Sequence, residues 1–155
     1  MENVNITIND RKLLIPTGST ILEAAAGAGI RIPTLCHLKD IDARANCRMC
    51  VVEVEKFRTF QPACATKVSE GMVVHTDTPA VRKSRKMTLE LLLSRHAVDC
   101  HHCMRIGSSK CDDLDPKFCE MCFFCDCVRD GFCELQALSR EYKVDKLPYE
   151  LTYGQ

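Results

Sequence analysis

The chain has 155 residues, which is enough for one ordinary domain or for one compact domain with an appended segment. It carries 21 Lys and Arg against 21 Asp and Glu, so no global field steers it toward nucleic acid or an anionic membrane. No apolar run approaches the ~18 residues that a membrane span requires. The strongest signal is its twelve cysteines, since such a content predicts a disulfide scaffold or a set of metal sites.

The expected compartment decides between disulfides and metal sites. The first ten residues include acidic and amide side chains, where a signal peptide needs a basic start followed by an unbroken apolar stretch. We therefore expect a cytoplasmic protein. In a reducing cytoplasm the thiols stay available as metal ligands, so metal sites are favoured over disulfides.

The start of the chain predicts strand, strand and helix. Apolar and polar residues alternate over residues 4–8, and an apolar run resumes over residues 12–15 after the turn-prone residues 9–10. Capping residues at 17–20 then precede a helix predicted over residues 21–28. This order predicts a hairpin with a helix packed on it.

Further elements follow in the rest of the chain. Strands are predicted over residues 51–55 and 72–76, and an amphipathic helix over residues 79–96. A last helix is predicted to begin near Cys133. The segment 100–133 shows neither a helical nor a strand period, and it should need metal to fold because it has little apolar surface to bury.

The helix over residues 79–96 carries a group of basic side chains: Arg82, Lys83, Arg85 and Lys86. They could contact an acidic partner or nucleic acid, but a solvated helix face is the expected interpretation. Nucleic-acid binding is not predicted, because no aromatic residues accompany the charges.

The four cysteines of the N-terminal half have gaps of ten, two and thirteen residues: Cys36, Cys47, Cys50 and Cys64. A [2Fe-2S] cluster needs two thiolates for each iron, and a C-x-x-C pair supplies thiolates from one short loop while the fold brings in the others. The spacing also leaves open a zinc site with the same four thiolates, or a redox-active dithiol at Cys47 and Cys50.

The residues around these cysteines resemble one known family. The resemblance is carried by IPTLC at 32–36, NCRMCVVEV at 46–54, QPACAT at 61–66, EGMVVHTDT at 70–78 and VRK at 81–83. These segments are similar to the N-terminal module of the large iron–sulfur subunit of NADH:quinone oxidoreductase (complex I). Iron-only hydrogenases and the diaphorase subunits of NAD-reducing and electron-bifurcating hydrogenases share this module.

The resemblance implies an α+β fold: a β-grasp [2Fe-2S] ferredoxin-like domain, a helix and a small cluster-binding segment organised by metal. The family's four [2Fe-2S] ligands fall on Cys36, Cys47, Cys50 and Cys64 without a mismatch. The expected bounds are 1–78 for the [2Fe-2S] domain, 79–96 for the connecting helix, 97–142 for the cluster-binding segment and 143–155 for a C-terminal tail.

The sequence HAVDCHHC at 96–103 resembles the next part of the same family, in which one histidine and three cysteines hold a [4Fe-4S] cluster. The family's third cysteine, followed by Glu-Leu-Gln, occurs here only at Cys133, after an insertion. The resemblance therefore implies a [4Fe-4S] site with the ligands His96, Cys100, Cys103 and Cys133.

The insertion carries five more cysteines. Four of them could hold a second [4Fe-4S] cluster, because three follow the close spacing of bacterial ferredoxins: Cys111, Cys119, Cys122 and Cys125. Cys127 is ambiguous, since its spacing to Cys133 lets it compete with Cys103 for one role. One or two [4Fe-4S] clusters are therefore expected in this segment. Zinc held by the close pairs Cys100/Cys103 and Cys119/Cys122 is the alternative.

No pattern of catalytic side chains accompanies the clusters, so no catalytic centre of its own is expected in the chain. The resemblance implies a subunit that relays single electrons between a flavin-containing, NAD(P)H-linked partner and another redox centre. Hetero-oligomeric oxidoreductases or hydrogenases, including electron-bifurcating ones, are the expected setting. Because relatives commonly fuse this module to a catalytic region that is missing here, a separate small subunit is expected. A freely diffusing ferredoxin and a zinc-stabilised binding module are the alternatives.

Overall fold

The computed structural model of the protein describes residues 2–38, 41, 43–94 and 133–144. Five strands and three helices occur in these ranges. In chain order they are β1 (Asn3–Ile8), β2 (Arg11–Pro16), α1 (Ile21–Gly27), β3 (Val51–Val54), β4 (Gln61–Pro62), β5 (Met72–His75), α2 (Pro79–Leu93) and α3 (Glu134–Glu141).

The chain divides into two compact units between Thr88 and Leu89, so that α2 belongs to both. The first unit contains all five strands and α1, and the second contains α3. Within the described ranges, no helix is long and apolar enough to cross a bilayer.

The N-terminal hairpin has the predicted form. β1 and β2 pair antiparallel with Ile8 opposite Arg11, so Asn9 and Asp10 form a two-residue turn. Both turn residues have positive φ, 47° for Asn9 and 67° for Asp10. Asn and Asp tolerate this left-handed region better than most residues, and two positive φ values match the twist of the flanking strands.

The sheet is mixed and has the order β2-β1-β5-β3-β4. β5 lies parallel to β1 and antiparallel to β3, which confirms the predicted strands at 51–55 and 72–76, each shorter by one residue. β4 was not predicted; it is a two-residue edge strand whose Pro62 lies opposite Val51. Proline is tolerated at a sheet edge because the edge strand needs no N–H on its outer side.

The hydrophobic core lies between α1 and the sheet. β1, β3, β5 and α1 contribute fully buried apolar side chains to this core. Cys50 and Cys64 are members of the same buried cluster, at 2% and 3% exposure. The proposed ligands of the N-terminal half are therefore partly built into the core.

α1 begins with a capping box. The Thr20 hydroxyl accepts from the Glu23 N–H at 3.2 Å, and the Glu23 carboxylate accepts from the Thr20 N–H at 2.7 Å. The hydrogen bond from the Thr20 N–H, and after it one that the Thr20 hydroxyl donates to the same carboxylate at 3.0 Å, lower the pKa of Glu23. The predicted cap and helix are thus confirmed; the helix ends at Gly27, one residue before the predicted end, and Gly29 follows its C-cap with a φ of 71°.

Replacing Thr20 with alanine should lower the free energy of unfolding by ~1 kcal/mol, because the Glu23 N–H loses its acceptor. Urea denaturation followed by circular dichroism measures this loss. Thr20→Ser keeps a hydroxyl oxygen at the cap and should lose much less. Equal losses in the two variants would show that the hydroxyl does not stabilise the helix.

α2 departs from prediction in two ways. It ends at Leu93, three residues before the predicted end, and residues 95 and 96 lie outside the described ranges. The solvated basic face is wrong for Arg85, which is buried at 2% exposure, whereas Arg82 and Lys83 are exposed as expected. Val81, Arg85 and Leu89 are spaced four apart, so they share one buried helix face.

α3 confirms the last predicted helix. It begins after Cys133, which occupies the N-cap position with extended backbone angles, and Tyr142 is its C-cap. Leu138 and Tyr142 are buried, together with the polar residues Gln136 and Ser139.

Candidate metal centre

The four N-terminal cysteines approach one another as two pairs of unequal exposure. Cys50 and Cys64 are buried, whereas Cys36 is exposed and Cys47 is half-buried. All four are free thiols. Burial raises the pKa of Cys64 most, and Cys50, Cys36 and Cys47 each lie close enough to Cys64 to raise it further.

The buried pair is in contact. The Cys50 and Cys64 sulfur atoms are 3.3 Å apart. Cys50 directly precedes β3, and the Ala63 N–H next to Cys64 donates to the Cys50 carbonyl at 3.1 Å. The short β3–β4 ladder therefore brings together two thiols that are fourteen residues apart in the sequence.

The turn that holds Cys64 is fixed to the start of α1. The carbonyls of Ala63 and Thr66 accept hydrogen bonds from the Leu22 and Ile21 N–H groups, at 3.0 and 2.9 Å. The first N–H groups of a helix have no partner within the helix, so the turn and the helix satisfy each other. This mutual satisfaction explains how a cysteine in an irregular segment keeps a defined place.

The exposed pair is held by the backbone of the C-x-x-C loop. The Cys47 N–H donates to the Cys36 sulfur at 3.5 Å, and the Met49 N–H donates to the Cys47 sulfur at 3.5 Å. The Asn46 N–H also donates to Cys36, and the Cys36 and Cys47 side chains interact with each other.

Two residues of this loop have left-handed backbone angles. Ala45 has φ 52° and Arg48 has φ 57°, and neither is glycine. Left-handed residues alternating with ordinary ones turn successive N–H groups inward, which forms the kind of concavity that binds anions and iron–sulfur clusters. Each of these conformations costs about 1 kcal/mol, and residues strained in this way are typical of functional loops.

The pKa values of the thiols follow their surroundings. Hydrogen bonds, chiefly from the Cys47 N–H, lower the pKa of Cys36. Burial raises the pKa of Cys47, and burial together with the neighbouring Cys50 thiol raises that of Cys64 to about 12. Because thiols bind metal as thiolates, Cys36 is the thiol best prepared to do so, and Cys64 must lose a strongly held proton.

Comparison with known proteins identifies the family of this chain. Residues 1–79, half of the chain, match the family described as "2Fe-2S iron-sulfur cluster binding domain". The chain belongs to this family. The matched range contains the five described strands, α1 and the four cysteines of the N-terminal half.

The relatives of this [2Fe-2S] protein are parts of larger redox enzymes. The chain is 43% identical over 111 residues to an NADH-quinone oxidoreductase subunit of Rhizobium meliloti, a match that covers 72% of this chain and 13% of the relative. It is 38% identical over 156 residues to the HndD subunit of the NADP-reducing hydrogenase of Solidesulfovibrio fructosivorans, which covers 97% of this chain and 22% of the relative. The predicted resemblance to the complex I and hydrogenase family is confirmed, and the chain spans less than a quarter of these relatives' lengths.

A solved structure shares the fold. The crystal structure of an NAD+-reducing [NiFe]-hydrogenase in the H2-reduced state superposes with a TM-score of 0.71 at 26% identity, covering 98% of this chain and 54% of that chain. The mixed sheet with its packed helix is therefore that of a small ferredoxin-like [2Fe-2S] domain.

The donor set of this [2Fe-2S] protein fits a two-iron cluster better than a single ion. Cys36 with Cys47 and Cys50 with Cys64 would supply two thiols for each of two irons, and N–H groups lie against the sulfurs of the first pair. A tetrahedral zinc ion would instead need all four thiols around one point.

Seven cysteines and one histidine of the predicted C-terminal sites lie outside the described residues: His96, Cys100, Cys103, Cys111, Cys119, Cys122, Cys125 and Cys127. Cys133 is the member of those sites that is described, as a half-buried free thiol at the N-cap of α3. The [4Fe-4S] and zinc assignments in this segment therefore stay predictions.

Proposed function

We propose that this chain is an iron–sulfur electron-transfer subunit that relays single electrons between a flavin-containing, NAD(P)H-linked partner and another redox centre. In this proposal a β-grasp domain over residues 1–78 holds a [2Fe-2S] cluster on Cys36, Cys47, Cys50 and Cys64. The helix over 79–96 leads to a segment over 97–142 that holds one or two [4Fe-4S] clusters, followed by a tail over 143–155. We place the protein in the cytoplasm.

The pairing of the four thiols is the observation that carries this proposal. When bound, a [2Fe-2S] cluster accepts and releases one electron, at about −400 mV in plant-type proteins, a range suited to exchange with pyridine nucleotides. One thiol pair reaches the surface at Cys36, and the other is anchored in the core at Cys50 and Cys64. This asymmetry fixes the cluster to a rigid sheet while leaving one edge open to an electron donor or acceptor.

The relatives support the setting. They are named as subunits of NADH-quinone oxidoreductase and of NADP-reducing hydrogenase, which are enzymes with several redox subunits. We propose the same kind of hetero-oligomer for this chain, with electron-bifurcating complexes among the candidates. The zero net charge argues against a freely diffusing ferredoxin, because such carriers rely on a charged surface for steering.

Iron and acid-labile sulfide analysis with EPR should show a reduced [2Fe-2S] signal in the anaerobically purified full chain. Its absence would refute the relay. Additional faster-relaxing signals are expected from the C-terminal [4Fe-4S] clusters, whereas stoichiometric zinc without them would support the zinc alternative in that segment. Purification from the native source should recover flavoprotein subunits with the chain; a stable monomer with full cluster content would instead identify a carrier.

A further inference from the structure

Arg85 is a buried basic residue in the cluster domain. Its exposure is 2%, and its Nη2 donates to the Val51 carbonyl at 2.7 Å and to the Thr76 carbonyl at 2.9 Å. An arginine keeps its positive charge inside a protein, and burying that charge is costly unless hydrogen bonds compensate for it. A surface role, which the sequence suggested for this residue, does not explain its position.

The two carbonyls lie at the end of the sheet that is next to the cluster loop. The β3–β5 ladder pairs Glu53 with His75 and Val54 with Val74, so Val51 and Thr76 lie beyond its last pair. Arg85 therefore bridges the two chain segments where the ladder has ended. Val51 directly follows Cys50, which puts the guanidinium next to the backbone that carries a buried ligand.

A second contact attaches α2 to the same strand. The Thr78 hydroxyl donates to the Glu53 carboxylate at 2.9 Å and accepts from the Val81 N–H at 3.2 Å. β3 is thus fixed to the start of α2 at Glu53 and, through Arg85, at Val51. This two-point attachment holds the charge of Arg85 at a defined place instead of leaving it to a flexible surface side chain.

We infer that Arg85 is a positioning residue of the cluster site, which fixes the start of β3 behind Cys50 and raises the reduction potential of the cluster through its buried positive charge. The inference rests on the proposed function, because it requires a cluster on Cys50. Reduction adds one negative charge to the site, and a nearby cation in a medium of low dielectric constant stabilises the reduced form. Net charge and hydrogen bonding around a cluster are established determinants of its potential.

The test is an EPR-monitored redox titration of the [2Fe-2S] signal in the full chain. Arg85→Gln keeps a hydrogen-bond donor and removes the charge; at a fixed potential it should lower the ratio of reduced to oxidised cluster about tenfold, which is 59 mV for one electron. Arg82→Gln is the matched control, since Arg82 lies on the same helix but is exposed and paired with Asp77 at 2.9 Å. Because solvent screens the exposed charge of Arg82, the ratio of reduced to oxidised cluster in Arg82→Gln should stay within about twofold of the wild-type ratio.

Arg85→Lys separates charge from geometry. It keeps the cation and loses the planar fork that reaches both carbonyls. The ratio of reduced to oxidised cluster at a fixed potential should therefore stay within about twofold of the wild-type ratio, while the unfolding midpoint falls. A shift in Arg85→Lys as large as in Arg85→Gln would overturn the inference, and so would an unchanged potential in Arg85→Gln. If Arg85→Gln does not fold, the pH dependence of Arg85→Lys decides. A lysine loses its positive charge as the pH rises toward its pKa and an arginine does not, so the ratio of reduced to oxidised cluster should fall more steeply with pH in Arg85→Lys than in the wild type, and equal pH dependence would overturn the inference. A wild-type chain without the signal would refute the proposed function itself.

Discussion

Replacing Cys50 with serine should abolish or severely alter the [2Fe-2S] EPR signal while sparing the signals of the proposed C-terminal clusters. Cys50 is 2% exposed and its sulfur lies 3.3 Å from that of Cys64, so no other thiol of the loop can take its place without moving the core. A serine hydroxyl is a far weaker ligand for iron than a thiolate at neutral pH. EPR of the reduced protein, with iron and sulfide analysis, measures the loss.

Two controls make this result specific. Val52→Thr places a hydroxyl at a fully buried position of β3, two residues after Cys50, and leaves the thiols intact, so it should keep the [2Fe-2S] signal even if it destabilises the fold. Cys133→Ser should do the reverse of Cys50→Ser, sparing the [2Fe-2S] signal and changing a [4Fe-4S] one. An unchanged signal in Cys50→Ser would overturn the ligand assignment.

The sequence predicted those parts of the fold that depend on local patterns. Alternation over β1, the turn at Asn9 and Asp10, and the capping residues before α1 each act within a few residues, and each prediction is confirmed. β4 escaped prediction because Gln61 and Pro62 have no alternating pattern and exist as a strand only through pairing with β3. A strand of two residues is defined by its partner, which sequence periodicity does not contain.

Arg85 shows the same limit for side chains. Its spacing from Val81 and Leu89 places it on the apolar face of α2, whereas its charge predicts exposure to solvent. Only the carbonyls of Val51 and Thr76, 34 and 9 residues away in the chain, explain why a cation is buried there. The helical period was the signal that could have identified it.

The cluster site was predictable in its ligand types but not in its grouping. Spacing and the surrounding residues pointed to the four cysteines, whereas the division into a buried and an exposed pair depends on the β3–β4 ladder and on the turn fixed to α1. The surroundings of the thiols matter chemically, because the hydrogen bond from the Cys47 N–H lowers the pKa of Cys36 whereas burial raises the pKa values of Cys47 and Cys64.

In the iron-free protein at pH 8, iodoacetamide should therefore alkylate Cys36 at least about 30-fold faster than Cys64. Cys36 has the larger thiolate fraction, and the lower nucleophilicity of its more acidic thiolate offsets only about half of that difference on a logarithmic scale. The pKa of Cys36 is lowered, so its alkylation rate should stop rising with pH at a pH below the usual pKa of a thiol. The pKa of Cys64 is raised to about 12, so its rate should keep rising toward that pH. Peptide mapping by mass spectrometry after short labelling pulses gives both rates in the full chain.

The denatured chain provides the reference for this experiment. In guanidinium chloride the backbone N–H donors to Cys36 and the burial of Cys64 are both lost, so the two thiols should react within about twofold of each other. In the folded chain, reconstitution with iron and sulfide should slow the alkylation of Cys36, because its thiolate would be bound to iron. Similar rates for Cys36 and Cys64 in the folded iron-free chain would contradict the division of the loop into an exposed and a buried pair.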